Sequence, residues 1–121
     1  MQRRQDEGKR LFTGRQLTVT PTAMPRGLKL RGEIDSSNVI EFVHSLAAFQ
    51  GTGGHGVHLD LSDLLFCDVS GIRAMVSYAQ GLDAEEKLLL HGMPEQIEKV
   101  INVLGWAELP GLEFCKCELG E

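Results

Sequence analysis

Two short segments near the N-terminus alternate apolar and polar residues. Residues 17–20 read Leu, Thr, Val, Thr, and residues 28–31 read Leu, Lys, Leu, Arg. A period of two is typical of a β-strand that buries one face and exposes the other. Pro21, Pro25 and Gly27 lie between the two segments and favour a turn. We therefore predict two strands joined as a hairpin.

The spacing of apolar residues becomes helical after the hairpin. Apolar side chains recur at i, i+3, i+4 and i+7, in the order Val39, Phe42, Val43 and Leu46. This period predicts an amphipathic helix whose apolar stripe faces the core. Polar capping residues 35–37 precede the stripe and Gly51 follows it, so the helix should span roughly 14 residues.

Strands and helices alternate along the rest of the chain. Further strands are predicted at residues 57–61, 87–90 and 112–115. A second helix is predicted from about residue 69 to residue 80, with a buried stripe of Ile72, Met75, Val76 and Ala79. A third helix follows Pro94, with a buried stripe of Ile97, Val100, Ile101 and Leu104. The order predicts an α/β fold with a mixed sheet of about five strands, an N-terminal hairpin followed by βαβαβ.

Length and composition fit a single domain. The chain has 121 residues, of which 42% are hydrophobic, enough for one core and too few for two. No apolar stretch approaches the roughly 20 residues of a membrane span, and the N-terminus lacks the apolar segment of a signal peptide. The three cysteines form no disulfide framework, which indicates a reducing compartment. We expect a soluble, cytoplasmic protein.

Charge divides the chain into a basic start and an acidic body. Residues 1–15 hold five Lys or Arg and two Asp or Glu, which leaves seven basic and fifteen acidic residues, a net charge of −8, in residues 16–121. Residues 1–15 are polar and aperiodic, so we predict a disordered basic tail followed by one domain over 16–121. An acidic body repels nucleic-acid phosphates and favours a basic protein surface as its partner.

Ser70 is the first candidate for chemistry, because it lies where an apolar strand ends and a helix begins. A hydrolase nucleophile at such a turn needs Gly two residues to either side, and here those positions are Asp68 and Ile72. Two interpretations remain from the residues alone. Asp68 and Ser70 could cap the helix, or Ser70 could accept a phosphoryl group of about −1.5 to −2 charge.

Other candidate sites have weaker support. The glycine-rich segment 51–56 follows a helix and lacks the Lys of a phosphate-binding loop, so we interpret it as a linker. His55 and His58 should point to opposite faces of a strand, and Cys115 and Cys117 have no further ligands at metal-site spacing. We predict no metal and no cofactor.

Acidic residues lie near the ends of two predicted strands. Asp60, Asp63 and Asp68 could form a Mg²⁺-binding cluster, although separate solvated carboxylates are the simpler interpretation. Asp35 comes directly after the second strand and before the first helix, where an N-cap is expected.

Three pieces of the chain carry a resemblance to a known family. They are residues 30–35 (LRGEID), residues 57–63 (VHLDLSD) continuing to 66–72 (FCDVSGI), and residues 90–94 (LHGMP) with 104–106 (LGW). In joint order and spacing, residues 17–114 resemble the STAS domains of anti-sigma factor antagonists, small bacterial regulators of partner switching. The resemblance implies the STAS fold, with helices packed mainly on one face of the sheet.

The resemblance also implies a function and its residues. In that family the serine before the glycine of an Asp-x-Ser-Gly motif is phosphorylated by an anti-sigma factor that is a serine kinase, and a phosphatase resets it. The matching acceptor is Ser70. The unphosphorylated domain binds the anti-sigma factor and releases the sigma factor, without acting as an enzyme. The predicted partner-binding residues are Asp35, Asp68, Ser70 and Gly71.

One position departs from the family pattern. Val69 stands where the family often has a second Ser or Thr, so the motif holds a single acceptor. Two alternatives are kept beside the leading hypothesis. One is a STAS scaffold or transport-associated subunit without phosphorylation, and the other is a small nucleotide- or phosphate-binding protein that uses the acidic residues.

Overall fold

The computed structural model describes residues 12–13, 16–23, 26–48, 56–83 and 85–115. Six strands and three helices occur in these residues. In chain order they are β1 (Phe12–Thr13), β2 (Leu17–Ala23), β3 (Arg26–Ile34), α1 (Val39–Ala47), β4 (Gly56–Cys67), α2 (Val69–Gln80), β5 (Lys87–His91), α3 (Glu95–Val103) and β6 (Leu112–Cys115).

All six strands belong to one mixed sheet, in which neighbours in space are also neighbours in the chain. The first three strands pair antiparallel, and β3 to β6 pair parallel. Each parallel connection contains one helix and moves one strand further in the same direction. Because such crossovers are right-handed, the three helices lie on the same face of the sheet. The predicted α/β fold, with its hairpin and its one-sided helical layer, is confirmed.

The hairpin follows from the alternation of its residues. The apolar side chains predicted to face inward are almost completely buried, namely Leu17, Val19, Leu28 and Leu30. Between them, Thr18 and Lys29 keep part of their surface in water. The hydrophobic side of the hairpin therefore joins the layer beneath the helices.

Helix α2 buries its whole predicted stripe, whereas α1 and α3 bury only part of theirs. Ile72, Met75, Val76 and Ala79 are all buried. By contrast, Val43, Val100 and Leu104 are 43%, 38% and 41% exposed, so their predicted burial is wrong. The reason is position: α2 connects the two central parallel strands and has a helix on either side, while α1 and α3 each have one open flank.

One strand was not predicted, and β2, β3, β4 and β5 are longer than predicted. β1 lies within the predicted tail 1–15 and pairs Phe12 with Val19. Two residues are too few to show a period, so the sequence did not mark this strand; residues 1–11 and 14–15 lie outside the described part. β4 extends to Cys67 rather than residue 61, because register shifts against β3 break the alternation that marks a strand.

The three helices have 9, 12 and 9 residues. Within the described residues, none has the length and apolar character needed to cross a membrane.

Candidate functional site

The ends of β3 and β4 bring two distant Asp residues to one edge of the sheet. Ile34 and Cys67 are register partners in these parallel strands. The backbone N–H of Asp68 donates to the Ile34 carbonyl oxygen at 3.1 Å. Asp35 and Asp68 therefore follow neighbouring strands at their carboxyl ends, the edge where parallel α/β sheets place their functional sites.

Asp68 is the N-cap of α2. Its backbone is extended, with φ −83° and ψ −177°, and its Oδ1 accepts a hydrogen bond from the Gly71 N–H at 3.2 Å. This satisfies one of the free N–H groups of the first helical turn. The capping interpretation is thus confirmed for Asp68.

The side chain of Ser70 also forms a hydrogen bond with the Asp68 carboxylate. Its Oγ donates to Oδ1 of Asp68 at 2.5 Å, and the residue is half-buried at the start of the helix. The hydroxyl is therefore oriented by a carboxylate, in a charge-assisted hydrogen bond. A hydroxyl held in this way at the protein surface is placed to transfer its proton and accept a new group.

Gly71 is required by close packing rather than by an unusual backbone angle. A Cβ added to Gly71 would lie 2.5 Å from Sγ of Cys67 and 2.8 Å from Cγ2 of Ile34. Real Cβ atoms do not approach other atoms this closely. The absence of a side chain at Gly71 lets the first turn of α2, which contains Ser70, pack closely against the ends of β3 and β4.

Gly71→Ala should lower the free energy of unfolding by about 1–3 kcal/mol, because the methyl group overpacks a filled space. The matched control is Gly81→Ala at the other end of α2. There the added Cβ would lie 3.6 Å and 3.7 Å from carbonyl oxygens, which is ordinary contact, and we expect a change within about 0.5 kcal/mol. Urea denaturation measures both. Equal effects of the two substitutions would contradict the packing role of Gly71.

The thiol beside the site is unreactive. Cys67 is buried, and burial together with the negative charge of Asp68 raises the pKa of its thiol to about 12. Since the thiolate is the reactive form of cysteine, Cys67 does not act as a nucleophile in the folded protein.

We accordingly expect Cys67 to resist iodoacetamide at pH 8 while the protein is folded and to react readily in urea. Peptide mass spectrometry after timed quenching measures this contrast. Modification of Cys67 in the folded protein at the rate found in urea would show that the thiol is accessible and ionised.

Asp35, like Asp68, accepts a hydrogen bond from the hydroxyl of the serine two residues later, but Asp35 does not cap a helix. Its Oδ1 accepts from the Ser37 backbone N–H at 2.9 Å and from the Ser37 Oγ at 2.5 Å. The N-cap of α1 is Asn38, whose side chain makes no capping bond and instead accepts from the Asp35 N–H at 3.0 Å. The predicted N-cap role of Asp35 is therefore wrong, because the turn inserts three residues before the helix. The hydrogen bonds from Ser37, first from its side chain and then from its backbone, lower the pKa of Asp35.

The acidic residues do not form one cluster. Asp60 and Asp63 lie 3.2 Å and 3.3 Å from Nζ of Lys29, while Asp68 caps α2. The hydrogen bonds from Ser62 and Lys29 outweigh burial and lower the pKa of Asp60. No group of three or more His, Cys, Asp or Glu suited to a metal ion occurs in the described residues.

That His55 and His58 point to opposite faces of a strand stays a prediction, because His55 is not among the described residues. Instead His58 contacts His91, a neighbour that sequence spacing gave no reason to select. Cys117 also lies outside the described part.

Exposed apolar side chains lie at the end of β4 and the start of α2, next to Ser70 in the chain. Leu65, Phe66 and Val69 are 72%, 49% and 44% exposed. We call these three residues, together with Ser70, the Ser70 surface. Isolated exposed apolar residues are normal, but several grouped at one place mark an interaction site. Leu65 and Phe66 are not among the residues predicted to form the site. Their signal in the sequence is the loss of alternation after residue 61.

Comparison with known proteins gives consistent results. A family model described as "Mlab, STAS domain" matches residues 18–112. An anti-sigma-B factor antagonist of Staphylococcus epidermidis is 28% identical over 83 residues, which are 68% of this chain and 77% of the relative. The crystal structure of an anti-sigma factor antagonist from Mycobacterium paratuberculosis aligns with a TM-score of 0.60 and 17% identity, over 71% of this chain and 74% of that one. At this identity the structural likeness shows the fold.

Proposed function

The chain belongs to the STAS domain family, and we propose that within this family it is a bacterial anti-sigma factor antagonist. In this proposal the protein binds an anti-sigma factor in the cytoplasm and thereby releases a sigma factor. Phosphorylation of Ser70 by the anti-sigma factor, acting as a serine kinase, ends the complex, and a phosphatase restores it. The protein is a regulatory binding partner and not an enzyme.

The observation that carries the proposal is the bond from the Ser70 hydroxyl to the Asp68 carboxylate. Asp68 already accepts from the Gly71 N–H, so the described contacts give Ser70 no necessary part in capping α2. Its hydroxyl is instead held by a carboxylate within the Ser70 surface. Such an arrangement supports the role of acceptor better than that of structural cap.

Phosphoryl transfer to this site has a simple chemical balance. Oγ of Ser70 forms a bond to the γ-phosphorus of ATP, the bond between that phosphorus and the bridging oxygen breaks, and ADP leaves. The hydroxyl proton must pass to a base. The Asp68 carboxylate, 2.5 Å from Oγ, orients the hydroxyl and is within reach of that proton.

The product of this reaction opposes binding. The phosphoserine has lost the hydrogen that Ser70 donates to Asp68, and it carries about −1.5 to −2 charge. Two unit charges about 4 Å apart repel by about 4 kcal/mol at an effective dielectric constant of about 20. If a partner covers Leu65, Phe66 and Val69, it also removes water that would screen this repulsion. A phosphate can therefore end the contact without unfolding the domain.

The remaining surface fits a protein partner of opposite charge. Residues 16–121 carry a net charge of −8, which favours association with a basic surface. The exposed Phe66 is the kind of aromatic side chain that anchors an interface. Asp35 completes the proposed contact region at the neighbouring strand end. Gly71, which is buried, supports the region through its packing in the first turn of α2.

A STAS scaffold or transport-associated subunit without phosphorylation is the second candidate. The observation that favours it is Val69, a β-branched apolar residue 44% exposed beside the acceptor. A nucleotide-binding role receives less support, because the carboxylates of Asp60 and Asp63, which would bind the metal, both form ion pairs with Lys29.

Incubation with the anti-sigma factor kinase of the same organism and ATP tests the proposal. Mass spectrometry should find one phosphate, on Ser70, and none in Ser70→Ala. Ser37→Ala is the matched control, because Ser37 donates to Asp35 at the same 2.5 Å and its loss should leave phosphorylation unchanged. Stable kinase binding with no phosphate on Ser70 would favour the scaffold.

A further inference from the structure

Two histidines from neighbouring strands contact each other through ring nitrogens. Nδ1 of His58, in β4, lies 2.7 Å from Nε2 of His91, in β5. The ring centroids are 4.9 Å apart and the ring planes differ by 23°. This centroid distance is near the largest that a 2.7 Å nitrogen contact allows, so the rings lie edge to edge and nearly coplanar. The geometry is that of an in-line N–H···N hydrogen bond.

The pair lies on the sheet face opposite the helices. His91 is a register partner of Asp60, and Asp60 is a register partner of Lys29, so these three side chains share that face. His91 is only 5% exposed. Its Nδ1 is buried and has no hydrogen-bond partner among the described residues. Leaving a buried polar atom unpaired costs stability, so the bond to His58 is the one hydrogen bond that the described residues give this ring.

The charged groups around His58 and His91 form ion pairs with one another. Asp60 and Asp63 contact Lys29, and Lys87 in β5 contacts Glu113 in β6 at 3.6 Å. Among the described residues, Cys115 is a further titratable neighbour on this face, as the register partner of His91. For His58, burial and then the nearby His91 lower the pKa. The neighbouring carboxylates therefore do not reverse the effect of burial.

We propose that His58 and His91 share one bridging hydrogen and form an acid-sensitive joint between β4 and β5. A neutral pair forms the bridge with one N–H donor and one lone-pair acceptor. One added proton is compatible with the bridge, because an imidazolium also donates to a neutral ring. A second added proton is not, since both facing nitrogens would then carry hydrogen and the rings would have to separate.

Proton counting gives the direction of the effect. The unfolded chain can protonate both rings near the ordinary histidine pKa of about 6.5, whereas the folded pair holds at most one added proton. Below that pH the unfolded state binds more protons, so the stabilisation is complete above about pH 6.5 and is lost as the pH falls. For each additional proton that the unfolded state binds, the equilibrium constant of unfolding rises about tenfold for every unit by which the pH falls.

The joint supports the connection from β5 to α3. His91 is the last residue of β5, and Gly92 follows it with φ +69°. A Cβ on Gly92 would lie 2.9 Å from Cβ of Ser62 in β4, so the turn after His91 packs tightly on β4. Separation of the rings should therefore loosen this turn first. The joint is at a distance from the Ser70 surface, because His58 and Cys67 are separated by most of the length of β4.

Urea denaturation at pH 7.5 to 5.0 tests the joint. In the wild-type protein the unfolding constant should rise about tenfold more between pH 6 and pH 5 than in the double variant His58→Gln, His91→Gln. His44→Gln is the matched control, since His44 is exposed on α1 and should keep the wild-type pH dependence. An equal pH dependence of wild-type protein and double variant would overturn the proposal.

A measurement on the wild-type protein is independent of how well that variant folds. In ¹⁵N-labelled protein at pH 7.5, NMR should show a scalar coupling between Nδ1 of His58 and Nε2 of His91 across the hydrogen bond. The coupling should disappear in acid together with protection of the β5–α3 turn from hydrogen exchange. Absence of the coupling at pH 7.5, or full protonation of both rings without loss of stability, would refute the joint.

Discussion

Ser70→Asp is expected to weaken binding of the anti-sigma factor by about thirtyfold or more. The substitution places a carboxylate at the position of the hydroxyl that now donates to Asp68 at 2.5 Å. It therefore replaces a hydrogen bond with repulsion between like charges, within the Ser70 surface. An adverse change at the centre of an interface commonly costs about 2 kcal/mol or more, and each 1.4 kcal/mol is tenfold in affinity. Isothermal calorimetry with the purified anti-sigma factor measures the change.

Three control variants separate charge from other effects. Ser70→Ala and Ser70→Asn remove the hydroxyl without adding charge, and both should bind within about fivefold of the wild type, since neither introduces repulsion. Ser37→Asp adds a charge beside Asp35 at an exposed position and should have the smaller effect. Undiminished binding by Ser70→Asp, or an equal loss in Ser70→Asn, would contradict an electrostatic switch.

Asp68→Asn is expected to slow phosphorylation of Ser70 by about a hundredfold, while the domain keeps its stability. Asn is as good an N-cap as Asp, so the bond from the Gly71 N–H is retained. The amide, however, is a poor proton acceptor and does not hold the Ser70 hydroxyl as a carboxylate does. Positioned proton transfer commonly contributes about 10²–10⁴ in rate. Single-turnover phosphorylation with saturating kinase and ATP measures the chemical step.

Asp68→Ala distinguishes this effect from the loss of the cap. Alanine removes both functions of the side chain and should also lower the free energy of unfolding by about 1 kcal/mol. Asp35→Asn is the matched control at the neighbouring strand end, where the carboxylate accepts from Ser37 instead, and it should leave the rate at Ser70 unchanged. Phosphorylation of Asp68→Asn at the wild-type rate would show that the carboxylate has no part in the transfer.

The sequence predicts those features that depend on neighbours along the chain. The hairpin residues Leu17 and Leu30 are buried as their alternation indicates. The Asp68 cap also depends on local geometry, because its acceptor and its donor at Gly71 are three residues apart. Sequence periodicity was less informative for Val43 and Leu104, which it assigned to buried stripes. Period shows which side of a helix is apolar, but not how far the neighbouring elements extend over that side.

The sequence by itself determined the order of strands and helices from residue 17 onward, the acidic body, and the position of Ser70 at a strand-to-helix junction. These follow from local spacing and composition. Only the tertiary structure placed Asp35 beside Asp68, joined His58 to His91, and left Leu65 and Phe66 exposed at the same edge as Ser70. The physical reason is that these contacts depend on strand register and on a break in the β4 alternation. Both are decided by the pairing of backbones far apart in sequence.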